Sequence, residues 1–175
     1  PLYLNAGTGR FREDRSGRLG LLYGVTLVAA ADVDEDGDPD LVVHTEQETG
    51  SPTRTGTWLF LNDGRGTFRP PANGGLIDGR NNRAGIKLAD LDGDGHLDLL
   101  LSNVAPGSCF PWLSRLYLGD GRGGFVERGC GGVLDWLPPF AADLDGDGDL
   151  DLAGPNGIFW NLTRQACAPF LARLG

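Results

Sequence analysis

Leu59-Phe60-Leu61-Asn62-Asp63-Gly64-Arg65-Gly66-Thr67-Phe68 is the stretch on which the fold turns. Its apolar-aromatic-apolar run reads as a short strand, Asn-Asp-Gly as a tight turn, and Phe68 as the start of a returning strand. Asp-Gly between two such runs is a strong hairpin signal. The unit occurs 57 residues earlier as Leu2-Tyr3-Leu4-Asn5-Ala6-Gly7-Thr8-Gly9-Arg10-Phe11. It occurs 57 residues later as Leu116-Tyr117-Leu118-Gly119-Asp120-Gly121-Arg122-Gly123-Gly124-Phe125. A worn fourth copy, Ile158-Phe159-Trp160-Asn161, lacks the glycine turn. Self-similarity at a fixed period marks a repeat architecture.

A second unit interleaves with the first: a short Ala-containing strand, an aspartate loop, then an aliphatic run, at 31–43, 89–101 and 142–153. The loops read Asp32-Val33-Asp34-Glu35-Asp36-Gly37-Asp38-Pro39-Asp40, Asp90-Leu91-Asp92-Gly93-Asp94-Gly95-His96-Leu97-Asp98 and Asp143-Leu144-Asp145-Gly146-Asp147-Gly148-Asp149-Leu150-Asp151. Each period therefore predicts four strands. The first ends in Ala-Asp, the second is the aliphatic run, the third is the Leu-aromatic-Leu segment, and the fourth starts at the Phe. No stretch sustains a 3.6-residue period, and Gly and Pro punctuate the chain too often for helix. Four short antiparallel strands repeated at about 50 residues describe the blades of a β-propeller.

The expected fold class is all-β: a β-propeller fragment made of four-stranded antiparallel blades. Residues 1–163 form the partial propeller, with a half blade at 1–15, blades at about 25–72 and 84–128, and a partial blade at 139–163. Residues 164–175 match no blade and read as a linker to an absent segment. Propellers usually close with four to eight blades. Closure is therefore expected to need further blades of the same chain, or another copy. The chain begins with Pro and contains no Met, which reads as an internal fragment or a trimmed product.

Composition agrees. Glycine supplies 29 of 175 residues, more than twice the usual share of about 7%, as many tight turns require. The formal net charge is −9, so a basic nucleic-acid footprint is absent. The three loops hold six, four and five acidic residues, 15 of the 24 in the chain. Acid concentrated in short loops points to cation binding rather than general solubility. No run of about 18 apolar residues exists to span a membrane as a helix.

The chemistry lies in those loops. Carboxylates stand at positions 1, 3, 5 and 9, and Gly always at 6. Calcium takes six to eight oxygens at about 2.3–2.6 Å, several of them carboxylate. Alternate residues of a tight loop can point inward together, and glycine at position 6 permits the sharp turn. Position 7 (Asp38, His96, Asp149) can offer its backbone carbonyl. Without metal, four crowded carboxylates would repel one another. An EF-hand shares the first half of this pattern but needs a bidentate Glu at position 12. Here position 12 is Val43, Leu101 or Gly154, all in the following strand, so that reading fails.

With these motifs in place, the chain resembles the FG-GAP and VCBS repeat family, the calcium-binding blades of integrin α-chain propellers and of many secreted bacterial proteins. The similarity covers about residues 1–163. It implies that up to three calcium ions bind between the first and second strands of the blades and stiffen the propeller. It also implies the side-chain ligands Asp32, Asp34, Asp36 and Asp40, then Asp90, Asp92, Asp94 and Asp98, then Asp143, Asp145, Asp147 and Asp151. Asp38, His96 and Asp149 would add main-chain oxygens. Pro39 and Glu35 in the first loop depart from the pattern.

On this reading the chain is a secreted or cell-surface, non-catalytic module for recognition or adhesion. The alternatives are a propeller-type polysaccharide lyase or hydrolase, and a structural spacer in a large surface protein. Aspartate loops and Asp-Gly hairpins should share one face. The opposite face would carry 44–57, 102–115 and the inter-blade segments at about 69–84 and 126–139, and would bind a protein or glycan through residues such as His44, Arg54, Phe110, Trp112, Arg115 and Trp136. His44 and His96 are 52 residues apart and have no evident nucleophile. Cys109, Cys130 and Cys167 fit no zinc spacing. They are either three thiols, or a Cys109–Cys130 disulfide with an odd Cys167. Asn161-Leu162-Thr163 is a glycosylation sequon.

Overall fold

A computed structural model describes residues 2–19, 23–46, 55–79, 83–103, 115–128, 140–154, 157–161 and 171–173. Fifteen strands follow one another in the described residues, with no helix. They are β1 (Leu2–Asn5), β2 (Phe11–Asp14), β3 (Val25–Ala31), β4 (Asp40–Thr45), β5 (Gly56–Asn62), β6 (Phe68–Arg69), β7 (Leu76–Asp78), β8 (Arg83–Ala89), β9 (Asp98–Asn103), β10 (Arg115–Gly119), β11 (Phe125–Glu127), β12 (Phe140–Ala142), β13 (Asp151–Gly154), β14 (Gly157–Asn161) and β15 (Leu171–Arg173). They form four antiparallel sheets in chain order: β1-β2, then β3-β4-β5 with β6 and β7 both on β5, then β8 to β11, then β12 to β15. The fold is therefore all-β, in the four-stranded units that the repeat demands.

The register repeats along with the sequence. Each aspartate loop is closed by an Ala–Asp pair in the ladder: Ala31 opposite Asp40, Ala89 opposite Asp98, Ala142 opposite Asp151. Each hairpin closes on its Phe: Asn5 opposite Phe11, Asn62 opposite Phe68, Gly119 opposite Phe125. Inside the turns Asp63 and Asp120 act alike. Asp63 Oδ1 accepts the Arg65 and Thr67 N–H groups, and Asp120 Oδ1 accepts those of Arg122 and Gly124, all at 2.8–3.0 Å. An aspartate that bonds its own turn backbone is why this residue type is preferred there.

Two segments differ from the sequence expectation. The second unit does not end near residue 72. Pro70 and Pro71 have no N–H to donate to the ladder, so the chain leaves after β6, turns, and rejoins the same β5 as β7. The Leu59 N–H donates to the Gly75 carbonyl at 2.7 Å as it returns. Part of the expected inter-blade segment 69–84 is thus strand. The second difference lies in the expected linker 164–175, where β15 pairs with β14 and gives the last sheet a fourth strand.

The core lies between sheets rather than within one. Val33, Val42 and Leu59 of the second unit pack with Leu99, Leu101 and Tyr117 of the third. On the other side of β9, Leu100 packs with Leu91 and with Leu152 of the fourth unit. Side chains alternate along a strand, so β9 needs an unbroken Leu99-Leu100-Leu101 run because both of its faces are covered. Each fully buried leucine contributes about 1.5–3 kcal/mol relative to exposure. A buried polar contact joins the same two units: the Tyr117 hydroxyl donates to Asp78 Oδ2 at 2.7 Å. Apolar residues stay open on strands of the second and fourth units, with Val28 60% and Phe140 81% exposed. Val28 occupies the repeat position of Ile86, which packs against the Leu99 cluster. The sheets are open at these ends, as a partial propeller requires.

Candidate metal centre

The three loops share one backbone path. Position 6 has φ of 96° at Gly37, 95° at Gly95 and 94° at Gly148. Position 4 also lies in the left-handed region, with φ 76° at Gly93 and 82° at Gly146. In the first loop that place is held by Glu35 at φ 61°, the one positive-φ residue other than glycine among those described. A longer side chain in this region is uncommon and costs conformational energy.

Backbone amides cradle the first and fifth positions. Asp32 accepts the Asp36 and Gly37 N–H groups, Asp90 those of Gly93 and Gly95, and Asp143 those of Gly146 and Gly148, all at 2.7–3.1 Å. Oδ1 of Asp36, Asp94 and Asp147 accepts from the residue two further on, at 2.9, 2.8 and 2.9 Å. These bonds aim carboxylates at a common point. Ligating oxygens of Asp32, Asp34 and Asp36 lie within 4.8 Å of one another, as do those of Asp90, Asp92 and Asp94, and of Asp143, Asp145 and Asp151.

Position 9 does two things. Asp40 and Asp98 are 1% and 0% exposed. Asp40 Oδ2 accepts the Val33 N–H at 3.0 Å, and its Oδ1 accepts the Asn62 N–H of β5 at 2.8 Å. Asp98 repeats this with Leu91 at 2.8 Å and Gly119 of β10 at 3.0 Å. Asp151 Oδ2 accepts from Leu144 at 2.9 Å. Asp40 and Asp98 thus brace their loops to their own third strands, β5 and β10. Each engaged oxygen keeps a lone pair, but only Asp151 belongs to a three-carboxylate set. Asp40, Asp98 and Asp147 stand outside those sets. The side chains of position 7 do not converge on them either. Asp38 lies over the Gly64 turn, His96 lies over the Gly121 turn, and Asp149 lies beside Gly93. Their expected contribution through the main chain is compatible with this.

Electrostatics mark the same groups. Burial pushes the Asp34 carboxyl above its ordinary range, helped by the charges of Asp40, Asp36 and Asp32. Asp92 is raised by burial and by Asp94 and Asp90. Asp145 follows the same pattern. Asp40 and Asp98 are raised mainly by burial, against the backbone bonds that lower them. Asp34 Oδ1 is also buried without a hydrogen-bond donor. In the other two loops the equivalent oxygens of Asp92 and Asp145 accept the position-5 N–H, at 3.3 and 3.2 Å. In the first loop that N–H turns to Asp32 instead. A buried, unsatisfied carboxylate oxygen among like charges is costly. An oxygen-only donor set of this kind suits a hard divalent cation.

Other expected site residues lie elsewhere. His44 is not a surface residue. It is fully buried in β4, which β3 and β5 flank, and its Nδ1 lies 3.0 Å from Thr57 Oγ1. Arg115 is half-buried and pairs with Glu127. Arg54, Phe110, Trp112, Trp136 and all three cysteines lie outside the described residues. In the sequence Glu35 stands out only as a departure beside the ligands of the first loop. Its contact is with His96, Nδ1 to Oε1 at 2.5 Å, in the next unit.

Comparison with known families supports the repeat reading. The family described as FG-GAP-like repeat matches residues 1–43 and 49–101. The chain belongs to this repeat family, and the third loop extends the pattern beyond the matched residues by internal repetition. No curated protein matches the chain.

Proposed function

We propose that this chain is a calcium-stabilised β-propeller module that serves extracellular recognition or adhesion and carries out no catalysis. The observation that carries the reading is the loop chemistry: three sets of three carboxylates within 4.8 Å, and a buried Asp34 oxygen with no donor. Bound calcium would supply the positive charge that these oxygens need. Asp32, Asp34, Asp36, Asp90, Asp92, Asp94, Asp143, Asp145 and Asp151 would hold it first. The braced Asp40 and Asp98, Asp147, and the main chain at Asp38, His96 and Asp149 are the further oxygens that the loops would offer. Because the loops join strands one and two, each filled site would stiffen one blade.

Several features support a binding role. The three-carboxylate groups found among the described residues fall in the loops, where backbone donors already engage them. Among the described residues no helix is long and apolar enough to cross a membrane, and the repeat family is commonly extracellular. We place the module at the cell surface or in secretions. Its protein or glycan partner would sit on the face opposite the loops, and further blades of the same chain or another copy would close the ring.

The test is thermal unfolding in chelator and in excess calcium. One site at a hundredfold excess over its dissociation constant adds about 2.7 kcal/mol, so three should raise the melting temperature by many degrees. Magnesium should do less. Superimposable melting curves with chelator and with calcium would refute the calcium reading.

A further inference from the structure

The metal face contains a joint that the single-loop pattern does not require. Glu35 stands between two candidate ligands, Asp34 and Asp36, and holds a left-handed backbone at φ 61°. The equivalent residues Gly93 and Gly146 hold it without a side chain. The Glu35 carboxylate leaves its own loop and meets Nδ1 of His96 at 2.5 Å, across 61 residues of sequence. His96 is position 7 of the second loop, next but one to Asp94 and Asp98.

The third hairpin forms the seat of this contact. A Cβ on Gly121 would lie 2.7 Å from His96 Cε1 and 2.8 Å from Glu35 Oε1, so only glycine leaves room. Two residues on, the Gly123 N–H donates to the Val33 carbonyl of the first loop at 3.3 Å. The hairpin of the third unit is thus wedged between the first and second loops and touches both. At the next junction position 4 of the second loop again faces position 7 of the third. There Gly93 meets Asp149, with 3.9 Å from a Cβ built on Gly93 to Asp149 Oδ1. Gly93 has no side chain to make the bridge.

We infer that Glu35 and His96 couple the first two cation sites, so that filling one prepares the other, while the third site fills independently. This rests on the calcium reading proposed above. The physical route is short. A cation that fixes Asp34 and Asp36 fixes Glu35 between them, and Glu35 then holds the His96 ring. That orients the residue whose carbonyl would serve the second site. The converse holds equally, because coupling between two binding equilibria is reciprocal. The contact is partly exposed, so the coupling belongs at the low end of the usual range, about fivefold in affinity. Glu35 is a positioning residue here, outside the ligand set.

The test is calorimetric titration of this chain with calcium alone, for wild type, Glu35→Gly, Glu35→Asn and Glu35→Gln. Wild type should show one cooperative pair and one independent site. Glu35→Gly relieves the backbone and deletes the bridge, and Glu35→Asn tolerates the same backbone but is too short to reach His96. Both should bind three ions at independent sites, with the second ion of the former pair weakened about fivefold. Glu35→Gln keeps an acceptor at the same reach and should retain the pair. Melting in chelator gives a readout without metal: Glu35→Gly should not fall below wild type, so lost cooperativity is not lost folding. Three independent sites in wild type, or a cooperative pair that survives in Glu35→Gly, would overturn the coupling and leave calcium binding intact. No calcium binding by wild type would overturn both.

Discussion

Replacing Asp98 with Ala separates bracing from ligation. Both Asp98 oxygens accept backbone N–H groups, from buried Leu91 at 2.8 Å and half-buried Gly119 at 3.0 Å. Leu91 is itself core, packed with Leu100 and Leu152. Removing the carboxylate strands the buried Leu91 donor at about 1–3 kcal/mol and the half-buried Gly119 donor at the low end of that range. Part is returned, because burial and the nearby charges of Asp92 and Asp94 already oppose ionisation of Asp98. The net loss should be about 3 kcal/mol, and it should appear without any metal. For a domain of this size that is a fall of about 6–12 °C in melting temperature. Asp94→Ala is the control. Asp94 is exposed and accepts one bond, from the His96 N–H. Its loss should change the chelator melt by no more than about 0.5 kcal/mol, yet remove the calcium-dependent stabilisation of that loop. The assay is differential scanning calorimetry of wild type and both variants, in chelator and in calcium. If Asp98→Ala melts within a degree or so of wild type in chelator, or no lower than Asp94→Ala, the bracing argument fails.

Tyr117→Phe keeps the core volume but removes the hydroxyl that donates to buried Asp78. It should cost about 1.5–3 kcal/mol in urea unfolding, and a loss below about 0.5 kcal/mol would show that the contact does not hold the second and third units together. The pH response should change sign with metal. Asp34, Asp40, Asp92, Asp98 and Asp145 have raised folded values, and so does His96, chiefly through its bond to Glu35. Their contribution to stability is full below the unfolded pKa and is lost as pH rises through the folded one. Asp14, Asp63 and Asp120 are lowered and oppose this only as pH falls below about 3.9. In chelator, stability should therefore rise as pH falls from neutral towards about 4. In calcium it should fall, because protons compete for the ligands. Melting curves sloping the same way in both conditions would contradict the assignment.

The sequence by itself determined everything that is local. Positions 1 and 3 of every loop, and position 5 of the first two, fall within five residues, so alternation and a glycine at φ near 95° suffice to bring their carboxylates together, whereas in the third loop Asp151 takes the place of Asp147. Asp-Gly hairpins and the Phe that closes each were readable for the same reason, and the 57-residue period ordered the strands. Tertiary structure decided what depends on pairing across the chain. Asp40 and Asp98 looked like simple ligands until β5 and β10 were laid beside β4 and β9, which bring the Asn62 and Gly119 N–H groups to them. His44 looked like a loop histidine, but it lies in the central run of its sheet opposite Thr57. β15 carries no motif, because an outer strand needs only backbone donors and acceptors to pair. The Glu35–His96 contact spans 61 residues, and no local spacing encodes it. Short-range geometry is written in the order of residues, whereas contacts between repeats exist only once neighbouring sheets pack around a shared core.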